Sequence, residues 1–110
     1  MIGTWWIVIG VDGTTTEHPE QPTYADLSAA VGGPLEAVTL HSPGTKAHFT
    51  MYVNEEGKLE GLPINIRASR FAHTGGHWHR DVIVGPAVLI GPPDKDGNDT
   101  PLLLDTVEEV

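Results

Sequence analysis

Cysteine is absent from this 110-residue chain. That excludes a disulfide framework, a thiolate nucleophile and a Cys-ligated zinc site, and it suits a reducing compartment. Basic residues are scarce: six Lys and Arg stand against fifteen Asp and Glu, for a formal charge of −9. Such a surface repels nucleic-acid phosphates and anionic lipid, so neither duplex DNA nor a membrane is an expected ligand. Basic proteins or metal cations are the partners its field favours, and mimicry of the DNA backbone is a further reading of the same charge. No apolar run approaches the length of about 18 residues that a membrane span needs. The opening MIGTWWIVIGVDG has no basic residue before its apolar run and no small-residue cleavage site after Val11, so it does not read as a secretory signal. None of Ser28, Ser42 and Ser69 sits in a G-x-S-x-G elbow, and the glycines form neither a P-loop nor a dinucleotide fingerprint.

What is present points to a single α+β domain, because a chain of this length supports one core without metals or disulfides. Thr4 to Val11 is rich in tryptophan and β-branched residues and ends at Asp12-Gly13, a turn dipeptide. Trp5, Ile7 and Ile9 share one face and Trp6, Val8 and Gly10 the other, so this strand is expected at the centre of a sheet. Residues 12–22 read as a polar loop. Thr23, with Asp26 three residues on, forms a capping box before an apolar segment, and Gly32 stands where a terminating glycine belongs. Leu35 to Leu40 and Ala47 to Val53 read as a hairpin. In the second strand Ala47, Phe49, Met51 and Val53 are expected inward, and His48, Thr50 and Tyr52 outward. Gly57 is expected to take a positive φ in the turn that follows. Pro63 bars a helix until after it. Asp81 to Ile90 reads as a strand interrupted at Gly85-Pro86, which places it at an edge or a bulge. Thr100 with Pro101 reads as the start of a last helical turn. The expected fold is a small, mostly antiparallel sheet with one or two short helices packed on it.

Three groups of residues could carry chemistry. His73, His77 and His79 follow H-x3-H-x-H spacing around Gly75-Gly76, and an extended His77-Trp78-His79 would turn both imidazoles to one side of the chain. Together they could hold one Zn²⁺, with Asp81 on the same alternation as His79; the competing reading is an exposed loop whose ordering would consume much of the binding energy. The acidic loop from Asp94 to Asp99 fails the EF-hand pattern at its sixth and twelfth positions and reads instead as a turn on Asp96-Gly97. Asn54, Glu55, Glu56 and Lys58 at the hairpin end, with Asn65 and Arg67 beyond it, could line one rim for a ligand or partner. Their alternative role is scaffold, with Asn65 bonding backbone groups and Pro63 stiffening the chain. Arg67 and Arg70, three apart, would share a helical face as a small basic patch that pairs with Glu55 or Glu56 or meets a ligand's phosphate.

The segments VGGPLEAVTL, MYVNEEGKLEGLPINIRAS and DVIVGPAVLIGP, between Val31 and Pro92, resemble a domain-of-unknown-function family found in bacteria and common in bacteriophages and other mobile elements. The specific part is Asn54-Glu55-Glu56-Gly57-Lys58 followed by Gly61-Leu62-Pro63 and Asn65. The tryptophan-rich start and the His73 to His79 loop lie outside that resemblance. It implies an α+β fold, a phage or mobile-element origin and so a bacterial host cytoplasm, and it carries no catalytic residues over.

Combined with the acidity and the missing nucleophile motifs, these features lead us to expect a non-enzymatic accessory protein that binds a host protein with a basic surface. The alternatives are a small-molecule or nucleotide-binding domain using the rim and, in third place, a metal-dependent enzyme on the histidines. No cofactor is expected beyond the Zn²⁺ those histidines would hold.

Overall fold

A strand that is apolar on both faces needs cover on both, and the architecture follows from that. The structure is a computed structural model describing residues 4–41, 48–74 and 82–102. Its elements are β1 (Trp6–Ile9), β2 (Thr15–His18), α1 (Tyr24–Val31), β3 (Leu35–His41), β4 (His48–Asn54), α2 (Ile66–Thr74) and β5 (Ala87–Ile90). The strands form one antiparallel sheet in the order β2-β1-β5-β4-β3. The two helices cover opposite faces. Ile7, Ile9, Phe49, Met51, Val53, Ala87 and Leu89 pack with Ala68 and Ala72 of α2, and Trp6, Val88 and Ile90 pack with Leu27 and Val31 of α1. No helix among the described residues is long and apolar enough to cross a membrane.

The start of α1 follows its sequence closely. The Thr23 hydroxyl accepts the Asp26 N–H at 3.1 Å while the Asp26 carboxylate accepts the Thr23 N–H at 2.8 Å. That second bond is the main reason the Asp26 carboxyl is held below its ordinary pKa. Gly32 ends the helix at φ 83°, and its N–H bonds the Ser28 carbonyl at 2.8 Å.

Four expectations are corrected. Residues 12–22 are not all loop, since Thr15–His18 pairs with β1. The exposed, threonine-rich strand carries no apolar alternation and is held by ladder bonds and by His18 stacking on Trp6 at 4.0 Å. The face of β4 expected to meet solvent lies under α1, which leaves Thr50 buried and Tyr52 half-buried. Gly85-Pro86 does not mark an edge: it separates an isolated Ile64–Val84 bridge from β5, which starts at Ala87 in the middle of the sheet. Proline there precedes the first ladder residue and removes no sheet hydrogen bond. Lastly, the helical turn expected after Thr100 does not start at Pro101 or Leu102, and its remainder lies outside the described residues; the Thr100 hydroxyl donates to the Pro92 carbonyl and the Leu102 N–H to that of Trp5. The turn expected at residues 42–47 lies outside the described residues, although His41 and His48 on either side of it are paired.

Phe49 shows the packing of the α2 face. It is 1% exposed and meets the Phe71 ring edge-on at 5.3 Å. Truncation removes both the transfer free energy and that ring contact, so Phe49→Ala is expected to cost about 3–5 kcal/mol in chemical denaturation. A loss below about 1 kcal/mol would contradict this register.

Candidate functional site

The residues expected on one rim are distributed over three places. Asn54 closes β4 and is buried; its Oδ1 accepts the Glu56 N–H at 2.8 Å, forming an Asx turn that points Glu55 and Glu56 into solvent. Its amide also lies 3.5 Å from a Glu60 carboxylate oxygen. No non-glycine residue among those described has a positive φ, and Gly57 does not have one either. The role of Gly57 is close approach: a Cβ would sit 3.0 Å from Val84 Cγ2 and 3.2 Å from the Asn54 carbonyl oxygen. The left-handed residue of this segment is Gly61, at φ 69°.

Asn65 is wholly buried and belongs to the scaffold. Its Nδ2 donates to the Ile9 carbonyl at 2.9 Å and the Gly85 carbonyl at 3.0 Å, while its Oδ1 accepts the Ala68 N–H at 3.0 Å as the cap of α2. The Asn65 N–H donates to the Ile83 carbonyl at 2.8 Å, and the Ser69 hydroxyl accepts the Ile83 N–H at 2.8 Å. Together these bonds fasten residues 83–85 and the end of β1 to the start of α2.

Glu55 and Lys58 border a groove of about 240 Å³ between the end of β4 and residues 82–84. Val38, Leu59, Val82 and Val84 supply its apolar walls, and Glu36 of β3 adds a second carboxylate. Leu59 is 90% exposed. Sequence reading missed Glu36, Leu59 and the valines Val38, Val82 and Val84; the legible signal was a lone leucine in an otherwise polar turn. Arg67 lies elsewhere. Its Nη1 donates to the Gly13 carbonyl at 2.9 Å, and with Arg70, Ile66, Val11 and Asp12 it lines a separate groove of about 400 Å³ against the β1–β2 turn.

His73 is exposed in the last turn of α2, and His77, His79 and Asp81 lie outside the described residues. Among the described residues no three His, Asp or Glu side chains are grouped as metal ligands. The acidic loop closes on itself: Asp94 Oδ1 accepts the N–H groups of Asp96 at 2.8 Å and Asn98 at 2.9 Å, and Gly97 takes φ 82°. The Asn98 N–H is the main cause holding the Asp94 carboxyl below its ordinary pKa. Tyr52 donates to Asp99 at 2.6 Å, and burial followed by that bond pushes its phenol well above the ordinary range. At neutral pH it is a fixed donor that ties the loop to β4.

The class defined by these features is a small α+β domain with an antiparallel sheet covered on both faces and open grooves at its ends. The chain belongs to the family described as a domain of unknown function, DUF3846, whose pattern matches residues 6–110. That match extends past both ends of the 31–92 segment of the resemblance, and it takes in Trp6 to Val11 and the sequence from His73 to His79. No curated protein and no solved structure matches the chain.

The scaffold role of Asn65 has a measurable consequence. Asn65→Ala removes a helix cap and leaves two buried carbonyls without their donor, so we expect a loss of about 2–4 kcal/mol in the ligand-free protein. Urea denaturation checks this, and a change within about 0.5 kcal/mol would contradict it.

Proposed function

We propose that this domain acts by binding, and that the groove bordered by Glu36 and Glu55 receives a protein partner with a basic surface. The observation that carries the reading is Leu59, 90% exposed in the turn that also holds Glu55, Glu56 and Glu60, beside apolar walls. The turn carries three carboxylates, Glu55, Glu56 and Glu60, against the one ammonium of Lys58. An exposed apolar anchor with that negative excess around it suits a partner with complementary charge, because the excess steers encounter and the anchor contributes the buried area. The overall charge of −9 acts in the same direction. That the partner is a bacterial host protein, and this chain a phage or mobile-element product, rests on the family resemblance.

The test is affinity capture from a bacterial lysate, followed by kinetics on the purified partner. The on-rate is expected to fall several-fold between low and physiological salt. The double variant Glu55→Lys, Glu56→Lys should weaken binding while changing stability by less than about 0.5 kcal/mol, as exposed turn residues do. Salt-insensitive association, or full binding by the charge-reversed variant, would refute the reading.

A second reading draws on the other groove. The bond from Arg67 to the Gly13 carbonyl orients one guanidinium beside Arg70, with Val11 and Ile66 as exposed apolar neighbours. Two guanidiniums next to apolar surface suit a small anionic ligand such as a nucleotide. Saturable thermal stabilisation by ATP or GMP, lost in Arg70→Ala, is the expected result; no shift with a nucleotide panel refutes this reading.

A further inference from the structure

The two margins of the sheet differ. At one end β2 has four residues, three of them threonine or glutamate, and Pro19 follows it at once. It is short and quickly interrupted, as natural sheet edges tend to be. At the other end β3 has seven residues in unbroken one-to-one register with β4, from Leu35 opposite Asn54 to His41 opposite His48. It contains no proline, no lysine and no bulge. In an antiparallel strand alternate residues turn both peptide groups toward the neighbour and the others turn them away. Among the described residues, no backbone hydrogen bond reaches the outward-facing groups of β3. Ala37 and Thr39, at the middle of the strand, are exposed.

We propose that β3 accepts an extended basic segment of a partner protein as an added strand. This rests on the binding reading above and gives it a geometry. The groove bordered by Glu36 and Glu55 opens beside β3, on the face that carries Val38. A strand laid along β3 sends alternate side chains over that face, where Lys or Arg meets Glu36 and Glu55, whose two charges outnumber the one of Lys58 on the same groove, and apolar stems meet Val38 and Val82. Side chains on the opposite face pass over Ala37 and Thr39, which are too small to obstruct them. Charge selects the occupant: a second copy would bring another −9 to the same edge, whereas a lysine-bearing segment is attracted to it.

The test uses the intact chain and the peptide acetyl-(Lys-Val)4-amide as probe. Two N-methylated forms accompany it, one methylated on the lysine amides and one on the valine amides, along with a Glu-Val counterpart. Charge and side chains are the same in the two methylated forms, but only one amide pattern can face β3 in a given orientation. The parent peptide should therefore bind and slow exchange of alternate amides within residues 35–41 at least tenfold. One methylated form should lose at least tenfold in affinity, and the other should keep it. Equal affinities for the two methylated forms, with β3 exchange unchanged, would overturn strand addition while leaving salt-dependent docking on the acidic groove intact. Equal binding of the Glu-Val peptide would overturn the basic occupant. Failure of the lysine peptide to bind at all would overturn the edge proposal, and the salt titration of the captured partner would then judge the binding reading separately. A dimer in sedimentation, with β3 amides already slow in the free protein, would assign the edge to a second copy instead.

Discussion

The residues Ala87, Val88, Leu89 and Ile90 are all fully buried, and this strand lies between β1 and β4 at the centre of the sheet. A strand without a solvent face obliges the chain to cover both sides, and here it does so with helices of eight and nine residues. Neither length is stable alone in water. Each helix therefore depends on its termini and on the sheet: α1 on the Thr23–Asp26 box and Gly32, α2 on the Asn65 cap and the strap of residues 83–85. With both faces used for stability, the sheet is left open, among the described residues, at its margins and at the grooves at its ends.

The sequence made some of this plain and concealed the rest for identifiable reasons. The capping box and Gly32 were legible because the geometry is local and needs particular side chains. The β3–β4 hairpin was legible from its alternation. The covering of Thr50 and Tyr52 was not, because a tyrosine beside a threonine alternates with apolar residues in the same way whether the second face meets water or a helix. Strand β2 left only the β-branched run Thr14 to Thr16 as a trace, since it buries no apolar face and so lacks the alternation that marks β4. At Gly57 the expected property of glycine is not the one in use: the residue has no positive φ, and what distinguishes the position is the close approach of Val84 and the Asn54 carbonyl to where a Cβ would lie.

The polar signature shows how a motif can mix roles. Asn54 and Asn65 are internal braces, Glu55 and Lys58 face an open groove, and Arg67 reaches across to a different turn. Neighbours in sequence part company here because the turn after β4 leads to the Asn65 cap, which is bonded to Ile9 at the end of β1, so α2 starts beside the β1–β2 turn and Arg67 reaches Gly13 there. The acidic groove and the arginine pair thus lie on separate parts of the surface, and a ligand suited to one has the wrong charge for the other.

The Asn65 amide joins chain segments far apart in sequence: Ile9 is 56 residues away and Gly85 is 20. The bonds to Ile9 and Gly85, unlike the local cap to Ala68, exist only once β1, the start of α2 and the strap before β5 have all arrived. Closing loops of that size costs conformational entropy before the contacts repay it, so these two bonds are expected to form after the local elements. An interaction made after the barrier governs how long the native state lasts more than how fast it forms. On that order of events the brace is a latch, and its loss is expected to speed unfolding and, with it, cleavage by proteases that cut the opened chain faster than it recloses.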